Sequence, residues 1–138
     1  MRKIYTNHDL CSGCRACTVA CAIAHRGEAD PSRGAIQILR NAVEGYEFQA
    51  VCRQCEDPEC VAACMAAALS VDPDDGRGLF DEDRCIGCWM CLMACPHHAI
   101  VRDEQAGKAI RCDQCEGRKT ASCVLACSTL AIQSVETE

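Results

Sequence analysis

The sequence predicts a small α+β fold of short helices and short β-hairpins, and three observations support this prediction. The chain has 138 residues, a length that suits one compact domain or two very small ones. Sixteen of these residues are cysteine, whereas Leu, Ile, Val and Phe together number only 25, about 18% of the chain. A short motif also recurs after three groups of cysteines. Because large aliphatic side chains are scarce, the cysteines are the candidates to organise the interior.

The sixteen cysteines fall into four groups of four, with none left over. The first and third groups have the spacing C-x2-C-x2-C-x3-C, and Pro96 follows the third. The second group is C-x2-C-x4-C-x3-C and the fourth is C-x2-C-x7-C-x3-C. In chain order the groups are Cys11, Cys14, Cys17, Cys21; Cys52, Cys55, Cys60, Cys64; Cys85, Cys88, Cys91, Cys95; and Cys112, Cys115, Cys123, Cys127.

Three interpretations of these groups compete. Eight disulfides would suit a small secreted scaffold, but the N-terminal MRKIYTNHDL lacks the apolar segment of a signal peptide. Structural zinc normally takes two C-x2-C pairs separated by a longer loop, which the first and third groups do not match. The run Cys85–Pro96 instead reproduces the spacing that binds [4Fe–4S] clusters in bacterial ferredoxins. We therefore predict four [4Fe–4S] clusters held by all sixteen cysteines.

A repeated unit of short strand, cluster loop and short helix is predicted around the cysteine groups. In the ferredoxin run three cysteines surround one cluster, and the fourth points to a neighbouring cluster. We expect this fourth cysteine to open the short helix. The motif C-x3-A-[L/I] follows Cys64, Cys95 and Cys127, and each time it leads into a short apolar or alternating stretch that predicts a strand.

Turn signals predict where the strands pair. After Cys21 the C-x3-A-[L/I] motif is absent, so the next strand is expected later in the chain. Turns are predicted at Asn41–Gly45, Asp72–Gly76 and Gly107, each of which contains Gly, in the first two cases after Asn or Asp. The strands predicted beside these turns are Ala35–Arg40, Tyr46–Val51, Leu79–Phe80 and Ala109–Ile110.

At these residues the sequence resembles a known family, the four-cluster ferredoxin-type electron-transfer subunits of molybdenum and tungsten oxidoreductases, certain hydrogenases and CO dehydrogenases. The resemblance covers nearly the whole chain and rests on the sixteen cysteines with CRQCEDPEC (Cys52–Cys60), CIGCWMCLMACP (Cys85–Pro96) and RCDQC (Arg111–Cys115). It implies two interleaved, bacterial-ferredoxin-like 2[4Fe–4S] modules. Residues 1–45 and 108–138 would form an outer module with cysteine groups one and four. Residues 46–107 would form an inserted module with groups two and three.

The resemblance also implies which cysteines share a cluster, because the fourth cysteine of each group crosses to the partner site. The implied sets are site 1, Cys11, Cys14, Cys17 and Cys127; site 2, Cys112, Cys115, Cys123 and Cys21; site 3, Cys52, Cys55, Cys60 and Cys95; and site 4, Cys85, Cys88, Cys91 and Cys64. Some relatives replace a third-group cysteine by Trp and hold a three-iron cluster. Here Trp89 lies between intact Cys88 and Cys91, so four irons are expected.

The net charge argues against a nucleic-acid partner. The formal charge is −6, the pI is about 5.2, and the chain has no basic run. If each cluster with its four thiolates carries −2, the loaded chain carries about −14. Four arginines adjoin predicted ligands. They either tune individual clusters or meet the acidic rim of a partner, or they are solvated surface charges. These arginines are Arg15, Arg53, Arg84 and Arg111.

Other candidate side chains have no predicted ligand role. Since cysteine ligation is complete, the four histidines are expected to lie at the surface or beside the clusters. They are His8, His25, His97 and His98. Met90 and Met93 are expected to pack around a cluster. The apolar run Val61–Val71 is too short to span a bilayer, and the chain has no phosphate loop or dinucleotide motif, so we predict no membrane span and no catalytic residue.

The predicted function is electron transfer within an oxidoreductase complex, without catalysis by this chain alone. Four clusters held by so few residues would form a wire from a large catalytic subunit to a second redox partner. The resemblance favours a molybdenum or tungsten enzyme as that subunit, with tungsten aldehyde oxidoreductase first, then CO dehydrogenase, formate dehydrogenase or hydrogenase. The sequence, which has no leader or membrane helix, predicts a cytoplasmic complex. A further hypothesis is end-to-end self-association that lengthens the wire.

Two alternatives from other functional classes stay open. A freely diffusing polyferredoxin would purify alone and reduce many acceptors. An iron–sulfur carrier or storage protein would release its clusters to other proteins, and full four-cysteine ligation speaks against it. In each case we expect the chain to be largely unfolded without iron and sulfide, because cluster binding supplies its folding free energy.

Overall fold

The computed structural model of the chain describes residues 2–115 and 117–136. Within these ranges short helices alternate with short antiparallel strands, in the α+β arrangement that the sequence predicts. The helices are α1 (Ala16–Arg26), α2 (Glu59–Ala63), α3 (Met90–Ala94) and α4 (Ser122–Ala126). The strands are β1 (Arg2–Thr6), β2 (Gln37–Asn41), β3 (Tyr46–Ala50), β4 (Leu69–Val71), β5 (Gly78–Phe80), β6 (Val101–Asp103), β7 (Lys108–Ile110) and β8 (Ile132–Glu136).

Three of the two-stranded sheets are local hairpins, and their turns are the predicted ones. β2 pairs with β3, β4 with β5, and β6 with β7. In the first turn the Asn41 side chain accepts hydrogen bonds from the amides of Val43 and Glu44. In the second turn the Asp72 side chain accepts from the amide of Asp74, at 2.8 Å. Short polar side chains that bond to nearby amides stabilise these turns, so the hairpin predictions are confirmed.

The fourth sheet joins the two ends of the described chain. β1 pairs antiparallel with β8, and Ile4 lies opposite Ser134. Ile4 and Ile132 point into the interior, whereas most side chains of β8 are exposed. This pairing closes the fold between its first and last elements, and no turn signal in the sequence predicts it.

Each helix begins one residue before the third cysteine of a group, so the expectation that the fourth cysteine opens the helix is wrong. The third cysteines Cys17, Cys60, Cys91 and Cys123 are the second residues of their helices. The fourth cysteines Cys64, Cys95 and Cys127 follow the last helical residue of α2, α3 and α4. The C-x3-C spacing spans about one helical turn, so it holds both cysteines on a single short turn.

The helices pack in pairs, and two groups of apolar side chains surround them. α1 packs against α4, and α2 packs against α3. The larger apolar group contains cysteines of groups one and four together with Ile4, Ile36, Ile38, Val51, Ile110 and Ile132. The smaller contains cysteines of groups two and three together with Leu69, Ile100, Ala109, Val61, Phe80 and Leu92. Five-residue helices are not stable alone, so their stability depends on this packing and on the cysteine sites.

A buried ion pair connects distant parts of the chain. Arg33, at the end of a 3-10 turn (Pro31–Arg33), donates from Nη2 and Nε to Asp103 Oδ2 at 3.0 and 3.2 Å. The Asp103 side chain is 1% exposed, and its other oxygen accepts from the amides of Gln105 and Ala106 in the β6–β7 turn. The pair therefore holds the segment after α1 against the third hairpin. No helix among the described residues is long and apolar enough to cross a bilayer.

Candidate iron–sulfur cluster sites

All sixteen cysteines carry free thiols, and twelve of them line three cavities. One cavity is lined by Cys64 from the second group and by Cys85, Cys88 and Cys91 from the third. These are the four cysteines predicted to form site 4. Burial raises the pKa of the Cys91 thiol to about 11, and the neighbouring Cys85, Cys64 and Cys88 contribute in the same direction. Like charges this close oppose one another, so a bound cation is needed for all four to ionise together.

A second cavity contains the four cysteines of site 3. Its lining includes Cys52, Cys55 and Cys60 from the second group and Cys95 from the third. Burial raises the pKa of Cys60, and the Cys52 and Cys95 thiols raise it further, whereas the Arg111 guanidinium opposes the shift. The second and third groups therefore exchange their fourth cysteines across the α2–α3 pair.

The largest of these cavities, of about 310 Å³, contains the four cysteines of site 2. Cys112, Cys115 and Cys123 come from the fourth group, and Cys21 comes from α1. Burial raises the pKa of Cys123 to about 12, with further contributions from Cys115 and Cys21. Burial also raises the pKa of Cys112 strongly, and the neighbouring thiols that add to this rise include Cys52 of site 3.

The evidence for site 1 comes from electrostatic interactions among three of its cysteines and from packing. Burial raises the pKa of Cys17, and Cys11 and Cys14 add to this rise although a hydrogen bond from Thr18 opposes it. Cys11 and Cys127 both pack against the larger apolar group. Ligation by the sets of sites 1 to 4 stays a prediction, with sites 2, 3 and 4 supported by shared cavities.

Backbone amides point at several sulfurs. The amides of Ala35 and Ala131 donate to the sulfurs of Cys21 and Cys127, each at 3.3 Å. The Gln114 amide donates to Cys112 Sγ at the same distance. Burial opposes ionisation of Cys127, but hydrogen bonds with the Thr129 side chain and with the amides that follow Cys127 outweigh this effect and lower its pKa. The Ala131 amide belongs to the C-x3-A motif that follows Cys127, so at this site the repeat seen in the sequence supplies an N–H donor to sulfur.

His25 lines the cavity of site 2, although it is not a predicted ligand. Its Nε2 lies 2.9 Å from Asp113 Oδ1, and its Nδ1 lies 3.7 Å from Cys21 Sγ. Hydrogen bonds with Asp113, Cys115 and Cys21 raise the pKa of His25 to about 12. His25 is therefore positioned as a hydrogen-bond neighbour of site 2, and Asp113 orients it.

The four arginines beside predicted ligands divide into two kinds. Arg15, Arg53 and Arg84 are exposed, and Arg84 pairs with exposed Asp81, at 3.5 Å. Arg111 is buried and 8% exposed. The solvated-charge interpretation therefore suits the first three, whereas Arg111 lies inside the protein.

Two further expectations have different outcomes. His97 and His98 are exposed, as expected. Met90 and Met93 are also exposed, by 40% and 73%, so the expectation that both pack around a cluster is wrong. The short helix α3 turns Cys91 inward, which leaves the two methionines on its outer side.

Buried Gln54 is a site residue that the sequence analysis missed. Gln54 is 1% exposed, donates from Nε2 to the Cys112 carbonyl at 3.2 Å, and accepts from the Gly78 amide at 2.8 Å. It thus connects the loops of sites 2 and 3. Gln114 occupies the matching position before Cys115, and both glutamines have positive φ. The recurring C-x-Q-C pattern is the signal that could have identified them.

Three observations show that the residues at these sites are suited to binding [4Fe–4S] clusters. Four thiols meet at each of three cavities, amides donate to sulfur, and a buried guanidinium lacks a carboxylate partner among the described residues. Clusters of net charge −2 would satisfy all three. When bound, such clusters exchange single electrons, while the chain holds them, donates N–H groups to them and excludes water.

Comparison with known proteins supports this assignment. The NADH-dependent phenylglyoxylate dehydrogenase subunit beta of Aromatoleum evansii is 39% identical over 92% of this chain, which spans only 28% of that relative's length. The thiosulfate reductase electron transfer subunit PhsB of Salmonella typhi is 36% identical over 91% of this chain and 72% of its own length.

A solved structure and a family model complete the comparison. The active site complex BamBC of benzoyl coenzyme A reductase, as isolated, shares the fold with a TM-score of 0.60, covering 98% of this chain and 76% of that chain at 21% identity. The model of the 4Fe-4S dicluster domain matches residues 43–137, more than half of the chain. The match confirms the [4Fe–4S] cofactor prediction, and the chain belongs to the 4Fe-4S dicluster domain family.

Proposed function

We propose that this chain is an electron-transfer subunit of a multisubunit oxidoreductase and carries four [4Fe–4S] clusters as a wire. The observation that carries the proposal is that three cavities are each lined by four cysteines drawn from two different groups. Such crossed sets are what a chain needs to hold clusters side by side in pairs. The absence of a predicted catalytic residue is consistent with a carrier.

The proposed ligand sets are those of sites 1 to 4, arranged in two modules. Two observations support the modules, residues 1–45 with 108–138 and residues 46–107. The larger apolar group contains cysteines of groups one and four, and the smaller contains cysteines of groups two and three. The proposed boundaries fall within hairpins β2–β3 and β6–β7, so the modules share these sheets. The end positions 1 and 138 lie outside the described residues.

The order of sites along the proposed wire is 1, 2, 3, 4. The pKa of Cys123 in site 2 responds to Cys17 of site 1, which supports the first neighbour relation. The pKa of Cys112 in site 2 responds to Cys52 of site 3, which supports the second. Sites 3 and 4 flank the packed pair α2–α3. These relations support the proposal that successive sites are adjacent, as a series of one-electron transfers requires.

The proposed partner is a large catalytic redox subunit, together with a second redox partner. Among its relatives, PhsB is named as the electron transfer subunit of a thiosulfate reductase, and another is a subunit of a phenylglyoxylate dehydrogenase. We retain tungsten aldehyde oxidoreductase as the first choice, with CO dehydrogenase, formate dehydrogenase and hydrogenase next. Cytoplasmic location and end-to-end self-association stay predictions, and anaerobic native mass spectrometry that shows single copies only would contradict the latter.

Anaerobic affinity purification of the chain from its own cells tests the proposal. We expect one large redox enzyme to co-purify in a fixed ratio, with about 16 iron and 16 acid-labile sulfide atoms per chain. Purification of the fully loaded chain alone, with reduction of many acceptors, would instead indicate a freely diffusing polyferredoxin. Transfer of clusters from the chain to apo-ferredoxin would indicate a carrier. A Cys88→Ala variant should lose about four irons, whereas Ser12→Ala, in the loop of site 1, should lose none.

A further inference from the structure

Arg111 is a buried cation between two of the cysteine sites. Its side chain lines the cavity of site 3, beside Cys60, and also the cavity of site 2, beside Cys112. The residue is 8% exposed.

Arg111 differs from the other arginines that line the cavity of site 2. Arg33 pairs with Asp103, Arg26 with Glu82, and Arg77 with Asp72. Among the residues that the structure describes, no carboxylate pairs with Arg111, and its Nε and Nη1 have no hydrogen-bond acceptor. A buried guanidinium without an anion is strongly destabilising, so this position requires negative charge nearby. Eight cysteine sulfurs line the two cavities that Arg111 separates.

The surroundings of Arg111 hold its side chain in this position. The guanidinium packs against the backbone of β5, where a Cβ on Gly78 would overlap Arg111 Cζ and Nη2. The Gly78 amide donates to Gln54, which in turn donates to the carbonyl of Cys112. Gly78 therefore leaves the space that the guanidinium occupies, and Gln54 fixes that strand to the loop of site 2.

We propose that the Arg111 guanidinium is a positive charge shared by sites 2 and 3, which raises the reduction potentials of both clusters and eases electron passage between the two modules. The inference rests on the proposed function, because it assumes that both sites are loaded. A one-electron reduction adds negative charge to a cluster, and a nearby cation in a poorly solvated environment lowers the free energy of that charge. Arg111 acts on the clusters through its charge and is not a ligand.

The test compares charge variants of the whole chain, reconstituted anaerobically and titrated with EPR detection of each reduced cluster. Arg111→Gln removes the positive charge, and Arg111→Lys keeps a positive charge at this position. Arg84→Gln is the control, because Arg84 adjoins Cys85 but is exposed. Iron and sulfide are counted first in every sample, so that a wild-type chain with fewer than four clusters contradicts the proposed function independently of Arg111.

We expect Arg111→Gln to lower two of the four midpoint potentials by about 59 mV each. For a one-electron couple this corresponds to a tenfold change in the reduction equilibrium. Arg111→Lys should lower the same two by less than half as much, and Arg84→Gln should leave all four unchanged. A merely structural role would lower stability without moving two midpoints selectively. Unchanged midpoints in loaded Arg111→Gln, or an equal shift of all four, would overturn the proposal.

A second variant covers the case in which Arg111→Gln does not retain its clusters. Gly78→Ala keeps every charge of the chain but forces the guanidinium to move, because the new Cβ overlaps it. The same two midpoint potentials should change, and the other two should stay the same. Four unchanged midpoints in loaded Gly78→Ala would overturn the proposal as well.

Discussion

Replacing Gly87 by Ala should destabilise the cluster loop of site 4 more than the same replacement at Gly76. Gly87 lies between Cys85 and Cys88 with φ of +72°, and Gly76 lies in the β4–β5 turn with φ of +77°. Both backbones are left-handed, so Ala costs about 1–2 kcal/mol at either position. A Cβ on Gly87 would also overlap the Gly107 carbonyl oxygen, whereas a Cβ on Gly76 meets no atom within 4 Å.

The overlap at Gly87 involves a backbone atom that cannot rotate away. Overpacking of this kind costs about 1–3 kcal/mol, so the total at Gly87 is about 2–5 kcal/mol against about 1–2 kcal/mol at Gly76. For a chain of 138 residues, each kcal/mol lowers the midpoint of thermal unfolding by about 3–5 °C. We therefore expect a decrease of about 3–10 °C for Gly76→Ala and about 6–25 °C for Gly87→Ala.

The assay is anaerobic thermal unfolding of the reconstituted protein, followed by circular dichroism and by the visible absorption of the clusters. Gly87→Ala should also speed the loss of one cluster, because its loop carries ligands of site 4. Gly76→Ala is the matched control for backbone strain alone. Equal thermal unfolding midpoints for the two variants would refute the reasoning, since the close approach of the loop to Gly107 would then contribute nothing to stability.

Two further predictions concern stability. Without iron and sulfide the chain should be largely unfolded, because cluster binding supplies the folding free energy, and a well-dispersed NMR spectrum of the apo-protein would contradict this. Asp103→Asn should lower the thermal midpoint and speed cluster loss, because Arg33 then loses its buried partner. Asp81→Asn, which breaks only the exposed pair with Arg84, should have little effect, and similar losses in both variants would show that burial of the Asp103 pair is unimportant.

Local signals in the sequence predicted much of the fold. The turns at Asn41–Gly45 and Asp72–Gly76 form as expected, because Asn and Asp side chains bond to amides two or three residues away. The strands next to them differ from the prediction by at most two residues at either end, as with Ala35–Arg40 against β2 (Gln37–Asn41). The helix position was less well predicted, since cysteine spacing alone does not show which cysteine of a run begins a helix.

The candidate sites were partly predictable. Cysteine spacing and the family resemblance predicted the members of sites 2, 3 and 4, which the structure brings to shared cavities. The role of Gln54 was not predicted, and the sequence left Arg111 open between cluster tuning and solvated surface charge, because burial decides both. Gln54 is 1% exposed and bridges two loops, whereas Arg53 beside it is exposed, although both follow Cys52 in the same short loop.

The sequence by itself determined the cofactor chemistry and the local hairpins, because ligand spacing and turn chemistry act over a few residues. The tertiary structure alone decided three contacts between distant residues. These are the pairing of β1 with β8, the ion pair between Arg33 and Asp103, which are 70 positions apart, and the burial of Arg111 between sites 2 and 3. The physical reason is that packing and desolvation depend on which segments meet in space, and no local periodicity of the chain records that.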